Sequence, residues 1–132
     1  MTTGATTARW IGAVLGAALT AASIGCVREA GLPDDCDASS VERIASLSGD
    51  RLDPESIDVC KGQRVTIEIT TERAGELHLH GYDEEAPEVP VEPGDTATFK
   101  FTATRAGQFV IELHTPNEGP EIEVGLLTVH EP

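Results

Sequence analysis

The chain has 132 residues, enough for one domain with a core of its own and too few for two comfortable ones. Its 23 acidic residues against 9 basic ones give a net charge of −14, a field that repels nucleic acid and anionic lipid headgroups and so disfavours both as partners. All the acidic residues follow position 26, so the field belongs to the C-terminal part, where it serves solubility or draws cations.

The first element in the chain is Trp10 to Gly25 (WIGAVLGAALTAASIG), apolar and uncharged, with Arg9 before it and small residues at its end. This pattern predicts a secretory signal peptide over residues 1–25. Its Ala and Gly content is too weakly apolar for a stable span of about 20 residues, which makes an uncleaved anchor the lesser alternative. Ser23-Ile24-Gly25-Cys26 resembles the lipobox of bacterial lipoproteins, although Ser23 stands where an aliphatic residue is usual. The resemblance implies diacylglycerol on Cys26 and a membrane reached through an N-terminal lipid. It also implies a location outside the cytoplasmic membrane. The cysteine count agrees: with Cys26 lipidated, Cys36 and Cys60 remain as one disulfide pair in an oxidising compartment.

Residues 26–40 are polar, with Gly31, Pro33 and adjacent aspartates, and are predicted to be a lipidated tether to a domain over 41–132. From Val41 the apolar period becomes two. Arg64 to Thr70 (RVTIEIT) alternates without a slip; Ala97, Phe99 and Phe101 repeat the pattern, as do Phe109, Ile111 and Leu113. Turn signals at Lys61-Gly62, Ala74-Gly75, Glu92-Pro93-Gly94-Asp95 and Arg105-Ala106-Gly107 divide the strands. The candidate strands are 42–47, 56–60, 63–71, 76–82, 88–92, 95–103, 107–114 and 122–130. About eight short strands, with no helical period beyond the signal, predict an all-β fold, a Greek-key β-sandwich.

Four segments carry a closer likeness: Val59-Cys60-Lys61-Gly62-Gln63-Arg64-Val65-Thr66, His78-Leu79-His80-Gly81-Tyr82-Asp83, Val91-Glu92-Pro93-Gly94, and Ala106-Gly107 through Leu113. Together, and in this order, they resemble the cupredoxin fold, in particular the small cupredoxin-like lipoproteins of bacteria. In blue-copper members the last motif ends on a cysteine six residues after its glycine; here that position is Leu113. A blue-copper centre needs a thiolate with two histidines and usually an axial methionine. Met1 is the only methionine, and the three cysteines are assigned to lipid and disulfide. The resemblance therefore implies the sandwich without type 1 copper.

What remains is nitrogen and oxygen. Glu76, His78 and His80 share one strand face, opposite to Leu77 and Leu79. Glu-Leu-His recurs at Glu112-Leu113-His114, and the cupredoxin pairing would lay that strand beside the first. His78, His80 and His114 are thus the candidate metal ligands, with Cu(II) or Zn(II) as the candidate cofactor. Against this stands the ordinary solvated strand face, where His and Glu pair across strands without any metal. His130 is expected in an exposed tail, and Tyr82 at the rim of the core.

No serine sits in a nucleophile elbow and no glycine-rich loop cradles phosphate, so the chain is expected not to be an enzyme. The functional expectation is a lipid-anchored, extracytoplasmic binding or accessory module without type 1 copper, its protein partner unnamed. The alternative is an envelope metal-binding protein that uses the three histidines.

Overall fold

The computed structural model describes residues 1–2, 31–116 and 119–132. The apolar segment expected to be a signal peptide and Cys26 lie outside the described residues. Among those described there is no helix long and apolar enough to cross a membrane.

Nine strands are present among the described residues: β1 (Ser40–Ser48), β2 (Arg51–Asp53), β3 (Ser56–Cys60), β4 (Arg64–Thr71), β5 (Gly75–Leu79), β6 (Val89–Val91), β7 (Thr96–Thr102), β8 (Gly107–His114) and β9 (Ile122–His130). They form a sheet of four, ordered β2-β1-β4-β7, and a sheet of five, ordered β3-β9-β8-β5-β6. β1 with β4 and β3 with β9 are parallel pairs, and the other pairs are antiparallel. The alternation in the sequence maps directly onto this sandwich. In β4, Val65, Ile67 and Ile69 are buried while Arg64 and Thr70 are exposed. From the facing sheet Leu77, Leu79, Ile111, Leu113 and Leu127 meet them in one core. Each such side chain contributes roughly 1.5–3 kcal/mol on burial, which is what fixes the register of both sheets.

Two sequence expectations need correction here. β2, only three residues between the Gly49-Asp50 turn and Pro54, is too short for alternation to reveal, yet its Leu52 is fully buried. It also packs against Gly125 of β9, where an added Cβ would stand 2.6 Å from Leu52 Cδ1. His130 is not a tail residue: it closes β9, and its Nε2 lies 2.7 Å from Asp58 Oδ1 of the adjacent strand.

The Cys36–Cys60 disulfide is formed. It holds the segment before β1 against the sandwich, and two further contacts reinforce it. Asp35 pairs with Arg43 at 2.8 Å. The buried Gln63 accepts from the Cys60 N–H through Oε1 and donates through Nε2 to the carbonyls of Asp35 and Ala38. The disulfide belongs to an oxidising, extracytoplasmic compartment.

Candidate metal centre

The outer face of the five-stranded sheet is the polar face of β5, β8 and β9. Because strand side chains alternate, burying Leu77 and Leu79 forces Glu76, His78 and His80 outward, and burying Ile111 and Leu113 does the same for Glu112 and His114. The antiparallel register then decides the neighbours. His78 lies opposite Glu112, and Glu76 lies opposite His114. Beyond β5 the His80 N–H donates to Val110 O, which places His80 one pair farther along.

The expected pairing of β5 with β8 is present, and its register sets His114 apart from His80. His114 is displaced from His80 by four residues along the strands, about 13 Å at strand rise. Among the described residues two groups bring three donor atoms within 4.8 Å of one another: His78 with His80 and Asp83, and His78 with Glu112 and Glu121. His114 is in neither; its Nδ1 is 3.9 Å from Glu121 Oε1.

His78 is the hinge of both groups. Its ring is only 12% exposed and stands 4.5 Å, centroid to centroid, from the His80 ring. Nε2 meets Asp83 Oδ1 at 2.6 Å, while Nδ1 lies 3.6 Å from Glu88 Oε1 and is buried without a hydrogen-bond partner. Asp83 is placed by the turn after β5. Gly81 adopts φ 82°, a left-handed conformation open to glycine, and its N–H donates to Asp83 Oδ2. The hydrogen bond with His78, followed by backbone N–H bonds, holds the Asp83 carboxyl below the usual carboxylate range. The turn is anchored beneath by Tyr82, which is fully buried rather than at the rim. Tyr82 packs on Phe101 and Phe109 and donates its hydroxyl to Arg105 O.

His80 is half exposed, and its Nε2 approaches Glu112 Oε2 to 2.8 Å. The approach is not aligned as an N–H···O bond, so Glu112 Oε2 is left buried without a hydrogen-bond partner. An open depression of about 400 Å³, lined by His78, Asp83, Pro87 and Glu88, gives solvent access to this edge.

Asp83 and Glu121 were not picked out from the sequence as donors. A signal for Asp83 existed in the glycine turn three residues after His78; Glu121, directly before β9, required the β8–β9 register.

Neither donor group contains sulfur, and both described cysteines are in the disulfide, so among the described residues no thiolate is available of the kind type 1 copper uses. The donor set fits a borderline divalent cation, for which imidazole and carboxylate are ordinary ligands.

No protein-family model and no curated protein matches the sequence. Solved structures do. The multicopper oxidase mgLAC aligns with a TM-score of 0.55 at 21% identity, covering 70% of this chain and 39% of that one. A blue copper oxidase from Nitrosomonas europaea aligns at 0.54 and 26%, with the same coverage, so this chain spans 39% of the length of either oxidase. A copper-binding protein solved in its apo form by NMR aligns at 0.54 and 16%, covering 70% of this chain and 89% of that one. With two sheets, this strand order and these neighbours, the chain has a cupredoxin-like fold in a divergent form.

Proposed function

We propose that the chain is an extracytoplasmic, lipid-anchored, non-catalytic cupredoxin-like module that lacks type 1 copper and binds a single-site divalent cation, Cu(II) or Zn(II), through His78, His80 and Asp83. The observation that carries this reading is the convergence of those three donor atoms within 4.8 Å beside solvent. The copper-binding solved structures of the same fold support a copper-related role. The anchoring rests on the Ser23-Ile24-Gly25-Cys26 motif.

A second reading also has an observation in its favour. His78 already has Asp83 as a hydrogen-bond partner and His80 has Glu112 as an ion-pair partner, so the face can serve as a metal-free docking surface. Calorimetric titration of the metal-stripped protein with Cu(II) and Zn(II) separates the two. The expected result is saturable binding, micromolar or tighter, that is lost in His78→Ala/His80→Ala. Absence of saturable heat in the unmodified chain leaves only the docking surface. For the anchor, Cys26→Ser is expected to move the protein from the membrane to the soluble fraction; persistent membrane association would indicate an uncleaved apolar segment.

A further inference from the structure

We infer that the face holds two divalent cations side by side, with His78 common to both coordination sets. This inference rests on the proposed function above and extends it. Apart from His78 the two donor groups share no residue: His80 and Asp83 belong to one, Glu112 and Glu121 to the other. An imidazole has two ring nitrogens pointing apart, and either can ligate a metal once deprotonated. In His78 Nε2 faces Asp83, and Nδ1, buried and without a hydrogen-bond partner, lies 3.6 Å from Glu88 Oε1; to ligate through both nitrogens at once the ring must release both its protons to solvent and act as imidazolate.

A single ion at His78, His80 and Asp83 leaves the rest of the face unexplained. Glu112 Oε2, although 2.8 Å from His80 Nε2, and His114 Nδ1 are also buried without hydrogen-bond partners. Polar atoms stripped of water in this way are unfavourable unless something completes them. Glu112 belongs to the second set with Glu121, whereas His114, 3.9 Å from Glu121, lies outside it. A second cation would give Glu112 Oε2 a partner. Charge favours it as well. Asp83, Glu88, Glu112 and Glu121 supply four carboxylates around His78, enough to neutralise two dications whose mutual repulsion would otherwise forbid close seating.

The two sets differ in chemistry. The first has two imidazoles and one carboxylate and suits Cu(II) or Zn(II); the second, richer in carboxylate, also accepts harder divalent ions. Zn(II) fits both and is redox-silent, which makes it the probe of choice.

The test is a count of bound Zn(II) per chain by native mass spectrometry and elemental analysis. It uses the purified protein, stripped of metal and re-equilibrated with buffered Zn(II). The expected count is two ions, falling to one in Glu112→Gln/Glu121→Gln and to one in His80→Ala/Asp83→Asn. Circular dichroism melts of the metal-free variants confirm that each still folds. One ion in the unmodified chain would overturn the two-ion arrangement and leave the proposed single site standing. No bound ion would overturn the reading beneath it as well. A count of two or more that none of the variants lowers would mean diffuse binding to the acidic surface, and would overturn both.

Discussion

At Asp83, one short polar side chain joins the turn after β5 to the imidazole of His78. Its carboxyl takes the ring at one oxygen and the Gly81 N–H at the other. An arrangement of this kind fixes both the rotamer and the tautomer of a histidine, as carboxylates commonly do for metal-binding imidazoles. The hydrogen bond from His78 lowers the folded-state pKa of Asp83. The sign follows by linkage: the ionised form adds stability that is fully present above the unfolded value, near pH 4, and is lost as pH falls through the lowered folded value. A carbon-detected NMR titration is therefore expected to place Asp83 below the free-carboxylate value, and His78→Ala to return it upward. An Asp83 titrating at the ordinary value in the unmodified chain would show that the pair does not persist in solution.

Among the elements, β5 carries the site and Gly75 admits it to the sheet. Gly75 has φ 152°, and an added Cβ would stand 2.6 Å from His114 O and 2.8 Å from Leu113 Cδ1. No side chain fits there without parting β5 from β8. Gly75→Ala is expected to lower stability by about 1–3 kcal/mol and to weaken Zn(II) binding, since Glu112 reaches His78 only through that pairing. Urea unfolding and Zn(II) titration on the same samples check both, and unchanged values would remove the close approach as a constraint. The strands themselves were legible: period-two burial is a property of each segment alone, so β4, β7, β8 and β9 fall where alternation predicts. β5 ends at Leu79 rather than at residue 82 because the Gly81 turn bends the chain and the Tyr82 N–H returns to Leu79 O. The site was legible only in part. His78 and His80 share a face by local alternation, but which β8 residue faces them depends on a register between distant segments. That register selects Glu112 and leaves His114 to Glu121.

For the whole molecule, the Cys36–Cys60 bridge closes a loop 24 residues in sequence separation. By chain entropy it stabilises the fold by about 3 kcal/mol, chiefly through the unfolded state. Guanidinium melts with and without reductant are expected to differ by that amount. A difference under about 0.5 kcal/mol would contradict the chain-entropy account. Cysteine arithmetic made this pair legible in the sequence. The docking of the segment around it through Asp35 and Gln63 was not, since Gln63 reads as an ordinary turn residue until its burial is known.

That docking also sets where the molecule bears load. The bridge and the Gln63 contacts grip Cys60, which lies beside His130 at the end of β9, whereas Glu121 directly precedes the strand's first residue. The nine residues of β9 span about 30 Å between those two ends. A pull on the chain at residue 31 is therefore taken up by a covalent bond at the near end and does not strain the β5–β8 register at the far one. The donor residue Glu121, with His114 beside it, sits at the end of the sheet that such a load does not reach.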